Sequence, residues 1–205
     1  MTVVRGPGAG SAFRLPKGMI GAGSAKGLLL FPDDPYLAPL HATFLIKDSE
    51  LAVRDEGSPS GTFVRIKKAE RLAPGDLFAA GDHLMRYCGP LEPAPPGDPI
   101  AYGAPAAPHL FVVEEIVAGG RPGRACARPG PVVSVGRNGS DLSFPGDEHL
   151  AARHCELQVD PAGATLRDLG TADGTFVRLP PGAEYPLVPG DSVRIGMQVL
   201  RIDLG

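Results

Sequence analysis

The sequence predicts an all-β protein built from two antiparallel β-sandwiches in tandem, and three observations support this prediction. The chain of 205 residues contains a long internal repeat. Its 28 glycines and 23 prolines suit many short strands joined by tight turns. No window of the sequence combines a strong helical period with capping residues at both ends.

The internal repeat is long enough to be a duplicated domain. The segment SGTFVRI at 60–66 returns as DGTFVRL at 173–179, which is 113 residues further along the chain. Over the 35 residues from Phe31 to Arg65, fourteen are identical to the residues 113 positions later, with no gap. Each copy has about 90 residues, a common size for an independent domain. We therefore expect one domain over residues 1–89 and a second over residues 109–205.

The segment between the two copies has a different composition. Residues 90–108 contain seven prolines, which predicts a Pro-rich linker. An extended, semi-rigid spacer is one interpretation, and a segment packed against one of the domains is the other.

The same succession of strands and hairpins is predicted in each copy. The predicted elements share short apolar runs bounded by turn residues. They cover 2–4, 18–23, 42–55 and 76–88 in the first copy, and 110–117, 131–136, 155–168 and 191–203 in the second.

Charge and composition exclude several classes of function. The net charge is -3, with +2 on residues 1–89 and -5 on the remainder. Neither part has the basic excess that nucleic-acid binding usually needs. The sequence contains no apolar run of about 18 residues that would span a membrane. We therefore expect no nucleic-acid partner and no membrane association.

The reactive residues do not form a pattern typical of an enzyme. The three cysteines, Cys88, Cys126 and Cys155, lack metal-ligand spacing and are expected to be reduced, as in a cytoplasmic protein. His41 and His154 each stand alone, without a carboxylate or cysteine at ligand spacing. We expect no catalytic residues, no metal site and no cofactor.

The order of motifs in the second copy resembles that of the forkhead-associated (FHA) domain. Gly136-Arg137 ends a strand, a segment that closes with His154 precedes a hairpin, Asp173-Gly174-Thr175 follows it, and Gly190-Asp191 precedes the last strands. The family pattern is Gly-Arg, Ser-x-x-His, Asn-Gly-Thr and a late Gly-Asp. The resemblance implies a β-sandwich that binds phosphothreonine peptides through loops at one end, and it extends to both copies.

The resemblance implies a phosphopeptide site in the second copy that has lost several ligands. Arg137 corresponds to the arginine that binds the phosphate, and we interpret it either as this ligand or as a structural ion pair. Ala151 and Ala152 replace the serine and the basic helper residue, and Arg153 lies one position further along. Asp173 replaces the asparagine that holds the peptide backbone, so it adds negative charge and lacks a donor. The candidate binding residues are thus Arg137, Arg153, Asp173, Gly174 and Thr175, while His154 and, in the first copy, His41 are expected to brace the loops.

The first copy departs further from the family pattern. Either Gly23-Ser24 or Gly21-Ala22 corresponds to Gly-Arg, and neither alignment supplies an arginine. Ala38 and Ser60 occupy the serine and asparagine positions. We expect this copy not to bind phosphate.

The sequence therefore predicts an adaptor for protein–protein interaction. In one hypothesis the second copy binds phosphothreonine peptides weakly through Arg137, and the partner is phosphorylated by a Ser/Thr kinase. In the other, the chain assembles partners without phosphate through its sandwich surfaces. The oligomeric state is left open by the sequence.

Overall fold

All of the secondary structure that is described is β. The structure, a computed structural model, describes residues 1–48, 50–91, 110–160 and 162–203. These residues contain strands, turns and loops, and so no helix that could cross a membrane. The all-β prediction is confirmed. Most of the predicted Pro-rich linker over 90–108 lies outside the described residues.

The described residues form 19 strands. In chain order they are β1 Thr2–Arg5, β2 Gly18–Gly23, β3 Leu29–Leu30, β4 Ala42–Lys47, β5 Glu50–Asp55, β6 Thr62–Arg65, β7 Glu70–Leu72, β8 Leu77–Ala80, β9 His83–Pro90, β10 Leu110–Val117, β11 Arg121–Pro129, β12 Val132–Gly136, β13 Leu142–Ser143, β14 Cys155–Asp160, β15 Gly163–Asp168, β16 Thr175–Arg178, β17 Glu184–Leu187, β18 Ser192–Ile195 and β19 Gln198–Arg201.

The chain forms two compact units that do not follow the order of the repeat. Unit 1 comprises Met1–Arg65 and Phe176–Gly205, and unit 2 comprises Ile66–Thr175. The division predicted from the repeat, 1–89 and 109–205, differs from this one. The reason is that each unit takes its last strands from the other copy of the repeat.

Unit 1 is closed by strands from the end of the chain. One of its sheets has the order β17-β5-β4-β2-β3, and the strands β1-β19-β18-β6-β16 are neighbours in the other. Val193, Ile195 and Leu200 from the end of the chain are buried in the same core as Phe44 and Val53 of the first copy. Burial of such apolar side chains is the main favourable term in folding.

Unit 2 is closed by strands from the first copy. One sheet has the order β13-β12-β14-β15-β7, and β8-β9-β10-β11 are neighbours in the other. Phe78, Met85 and Tyr87 of the first copy are fully buried. The closing hairpin β8–β9 thus pairs with β10 of the second copy, as β18–β19 pairs with β1 of the first.

Charged residues favour this exchange of closing strands. Arg71 on β7 binds Asp160 of β14 through both terminal nitrogens, at 2.5 and 2.6 Å. The position that corresponds to Asp160 in the first copy is Lys47. If β7 closed its own copy, Arg71 would therefore lie near a like charge. An exposed ion pair contributes little to the free energy of unfolding. The pair therefore matters mainly because it favours pairing of β7 with β15 of the second copy over pairing of β7 with β5 of its own copy.

A second ion pair acts in the same direction. Arg86 on β9 binds Glu114 of β10. Arg201 on β19 has the corresponding position in unit 1, and its partner across the strands is Thr2. Arg86 would gain only a neutral partner if β9 paired with β1.

Seven of the strands lie outside the elements predicted from the sequence, namely β3, β6, β7, β11, β13, β16 and β17. β11 contains two prolines and a glycine, and eight of its nine residues are exposed. It lies at the edge of its sheet, where proline and charged residues are common because one side needs no partner strand. Such a strand has no apolar alternation that a sequence pattern could detect.

Cysteines introduced at positions 71 and 165 test the exchange of strands. Arg71 and Thr165 lie opposite each other on β7 and β15, and directly opposed residues of antiparallel strands are close enough for a disulfide. We expect Arg71→Cys with Thr165→Cys to form a cross-link in the full chain, with the three native cysteines replaced by alanine. Mass spectrometry of peptides would detect it.

The matched control places the second cysteine in the first copy. Ala52 has the position in β5 that Thr165 has in β15. Arg71→Cys with Ala52→Cys should stay reduced. Cross-linking of this pair, and not of the 71–165 pair, would mean that each copy closes its own sandwich.

Candidate functional site

Three loops meet at one end of unit 2, and a glycine permits their close approach. They follow β12, precede β14 and join β15 to β16. The backbone N–H of Arg137 donates to the carbonyl of Ala151 at 2.8 Å. A Cβ atom on Gly136 would lie 2.2 Å from the carbonyl oxygen of Ala152. Only glycine fits there, so the Gly-Arg motif brings Arg137 beside the position of the missing serine.

His154 joins two of these loops from inside the unit. Its side chain is fully buried. Nδ1 lies 3.2 Å from the backbone nitrogen of Ala151 and accepts its hydrogen, and Nε2 lies 3.0 Å from the carbonyl oxygen of Gly174. These contacts require the tautomer with hydrogen on Nε2. His154 therefore holds the Gly174 turn against the segment that carries Ala151.

The carboxylate of Asp168 holds the turn between β15 and β16 through hydrogen bonds. One carboxylate oxygen accepts hydrogen bonds from the hydroxyls of Thr171 and Thr175 at 2.8 and 2.7 Å, and the other accepts from the backbone of Gly170 and Thr171. Burial opposes ionisation of Asp168, but the hydrogen bonds from the threonines outweigh it and lower the pKa of the carboxyl. The turn is thus built around a charged, fully engaged carboxylate.

Two of the predicted binding residues make contacts within this turn. The Thr175 side chain is buried and donates to Asp168. Gly174 donates its N–H to the Thr171 hydroxyl at 3.1 Å and offers its carbonyl to His154. These contacts shape the turn, and they engage the Thr175 hydroxyl and the Gly174 N–H and carbonyl within the protein.

The two arginines differ in their surroundings. Arg153 is 61% exposed, and its guanidinium lies 3.7 Å from Glu156. Arg137 is half-buried. Within the part of the chain that the structure describes, its guanidinium makes no hydrogen bond or ion pair with protein. Arg137 therefore offers a free set of donors at the loop end, and the structural ion pair considered above does not form there.

Asp173 has a partner that sequence analysis missed. An oxygen of its carboxylate lies 3.3 Å from Nδ1 of His149, and about a third of each side chain is exposed. His149 lies two residues before Ala151, and its backbone N–H donates to Asp147 at 2.8 Å. No sequence motif includes His149. Its contact with Asp173 arises only because the loop before β14 lies against the loop before β16.

The loops of unit 1 have the same framework without the arginine. The backbone N–H of Ser24 donates to the carbonyl of Ala38 at 3.0 Å. A Cβ atom on Gly23 would lie 2.3 Å from the carbonyl oxygen of Pro39. Of the two alignments left open, Gly23-Ser24 therefore corresponds to Gly136-Arg137. The residue of unit 1 that corresponds to Arg137 is therefore Ser24.

The turn of unit 1 is also closed by its own contacts. His41 is buried and bridges the nitrogen of Ala38 and the carbonyl oxygen of Gly61, at 3.2 and 3.0 Å. The Ser60 hydroxyl donates to the carbonyl oxygen of Tyr36. The polar residue at the start of this turn is thus used within the loops.

The fold and the site together define a class of protein. It is a β-sandwich whose candidate binding residues lie on the loops at one end of the sheets. Residues 133–196 match the family of FHA domains. The chain therefore carries an FHA domain, as the order of its motifs predicted. The matched range includes β12–β15 of unit 2 and β17–β18 of unit 1.

One similar protein is named as a regulator and another as an inhibitor. The glycogen accumulation regulator GarA of Mycobacterium tuberculosis is 35% identical over 95 residues, which are 45% of this chain and 59% of the relative. The oxoglutarate dehydrogenase inhibitor of Corynebacterium glutamicum is 35% identical over 95 residues, 45% of this chain and 66% of that protein. The chain thus covers slightly less than two thirds of each relative's length.

A solved structure from a structural and functional analysis of phosphothreonine-dependent FHA domain interactions is also similar. It is 27% identical and covers 43% of this chain and 88% of that chain, with a TM-score of 0.27.

The pH dependence of stability tests the contacts of His41. Burial lowers the pKa of this imidazole in the folded protein, against the hydrogen bond to Gly61. Below about pH 6.5 the unfolded chain therefore binds a proton that the folded chain does not bind as readily. The free energy of unfolding consequently decreases as the pH is lowered. We expect His41→Gln to flatten this decline by at most ~1.4 kcal/mol per pH unit.

Urea unfolding at pH 7.5, 6.5 and 5.5 would measure this effect. At pH 7.5 the variant should be less stable by about 1–3 kcal/mol, because glutamine cannot make both hydrogen bonds. Parallel pH profiles for the two proteins would contradict the prediction.

Proposed function

We propose that the chain is an adaptor for protein–protein interaction that binds phosphothreonine peptides weakly, through the loop end of unit 2. The observation that carries the proposal is the Arg137 guanidinium, which lies at that end without a protein partner in the described residues. Arginine binds phosphate through charge-assisted, often bidentate hydrogen bonds. The peptide comes from a partner phosphorylated by a Ser/Thr kinase.

Weak binding follows from the groups that are absent. Ala151 supplies no hydroxyl beside Arg137, and a hydrogen bond to a charged group contributes about 1.5–3 kcal/mol. Its loss weakens binding about tenfold to a hundredfold. Asp173 adds a negative charge near the phosphate, so repulsion acts in the same direction.

Unit 1 contributes no phosphate site in this proposal. Ser24 replaces the arginine, and the Ser60 hydroxyl is used by the Tyr36 carbonyl. A phosphate there would lose its hydration without gaining a paired cation.

A second candidate function is assembly of partners without phosphate. It is favoured by the same missing ligands, Ala151 and Ala152 in unit 2 and Ser24 in unit 1. The relatives are named as a regulator and an inhibitor, and either mode of binding fits a regulatory adaptor.

Calorimetry on the full chain with phosphothreonine and threonine peptide libraries would separate the two candidates. We expect weak binding that depends on phosphate and is lost in Arg137→Ala. The control is Arg167→Ala, which removes an exposed arginine from β15 and should leave binding unchanged. Binding that survives both dephosphorylation and Arg137→Ala would favour assembly without phosphate.

Restoring the missing hydroxyl tests the same site by gain of affinity. Ala151→Ser should strengthen phosphopeptide binding about tenfold or more, since it adds a hydrogen bond to a charged group. The matched variant in unit 1, Ala38→Ser, should have no effect, because Ser24 supplies no cation there. Equal gains from both variants would contradict the assignment of the site to unit 2.

A further inference from the structure

In both units the residue that begins the Gly-Thr turn contacts the same position of the neighbouring loop. In unit 2 the Asp173 carboxylate lies 3.3 Å from the His149 imidazole. In unit 1 the Ser60 hydroxyl donates to the backbone carbonyl of Tyr36, which corresponds to His149. The contact therefore belongs to the architecture, but only unit 2 makes it between two titratable side chains.

The resemblance assigns this position to an asparagine whose amide both donates and accepts hydrogen bonds. Asp173 alone can only accept. Together with His149 it forms a group that accepts through the carboxylate and donates through the imidazole. The pair therefore has the two capacities that an amide has, and it adds a charge that depends on pH.

We propose that His149 and Asp173 form a single recognition element beside Arg137, and that phosphopeptide binding at unit 2 is coupled to uptake of a proton by His149. The proposal rests on the proposed function, because it assigns the ligand of that same loop end. The proton passes from solvent to the unprotonated ring nitrogen of His149, where it forms an N–H bond, and no other bond of the chain or of the peptide changes.

Charge balance gives the reason for the coupling. With neutral His149, a phosphate bearing about -1.5 to -2 meets the Asp173 carboxylate beside the Arg137 guanidinium. With the imidazolium, the pair is neutral as a whole and His149 can donate a hydrogen bond. A nearby anion favours the charged form of histidine, so binding and protonation reinforce each other.

The other charged groups around His149 do not supply a positive charge that would offset Asp173 and the bound phosphate. Asp147 and Glu148 on its own loop are acidic, and Asp147 is engaged by the Asp82 backbone at 2.7 Å and lies 3.6 Å from His83. Arg153 is directed at Glu156. The charged and titratable residues of this segment, of the Asp173 turn and of the neighbouring loops include Asp82, His83, Arg137, Asp147, Glu148, Arg153, His154, Glu156, Asp168 and Asp173.

The experiment compares the wild-type chain with His149→Gln across pH. The probe is the phosphothreonine peptide of highest affinity from the library, and calorimetry gives its Kd at pH 6.5, 7.5 and 8.5. Glutamine retains an N–H near Asp173 but does not titrate. We expect His149→Gln to bind about tenfold more weakly than wild type at pH 6.5, and about equally at pH 8.5.

Two further variants make the result specific. Asp173→Asn should bind more tightly than wild type at pH 8.5, because it removes the repulsion, and its affinity should vary less with pH. Tyr36→Phe alters the corresponding position in unit 1 and should reproduce the wild-type profile. NMR of the His149 imidazole at pH 7.5 should show a shift towards the protonated form when peptide is added.

The outcomes separate this inference from the function on which it rests. Phosphate-dependent binding that is lost in Arg137→Ala, with parallel pH profiles for wild type and His149→Gln, would overturn the coupling alone. Absence of phosphate-dependent binding in every form, including Ala151→Ser, would overturn both. Since the His149 side chain is 32% exposed, wild type and His149→Gln should have the same melting temperature. If the two pH profiles of Kd differed only where His149→Gln had lost its fold, the result would count against the coupling.

Discussion

A buried imidazole in each unit fixes the loops on which any recognition depends. His154 and His41 connect the turn after one strand with the segment before another, through contacts of the same length in both units. A buried polar group must be paired to be tolerated, and the loops supply its partners. The conformation of the loop end is therefore set by the interior of the unit, and it persists in unit 1 although the candidate phosphate ligands are absent.

The exchange of closing strands links this loop end to the other copy of the repeat. The loop that carries His149 is held by Asp147, which accepts hydrogen bonds from the His149 N–H and from the Asp82 N–H. Asp82 belongs to the turn between β8 and β9, which comes from the first copy. The position of a candidate ligand group in unit 2 thus depends on residues about 70 positions earlier in the chain.

Much of the architecture and part of the site were determined by the sequence alone. The repeat, the turn residues and the short apolar runs predicted an all-β chain and located most of its strands, because such patterns reflect local geometry and burial on one face. The order of Gly-Arg, His and Gly-Thr located the loop end and Arg137. Edge strands such as β11 escaped prediction, since their exposed residues need no apolar alternation.

Tertiary structure alone decided which strands close each sandwich and which side chains meet at the loops. The two copies have nearly the same pattern, so a closing hairpin fits either sandwich by its apolar residues. Contacts such as that of Arg71 with Asp160, rather than with Lys47, distinguish the two arrangements. His149 carries no signal in the sequence, and it meets Asp173 only because the loops before β14 and before β16 are folded together. Contacts between residues distant in the chain depend on the whole fold, and no local pattern encodes them.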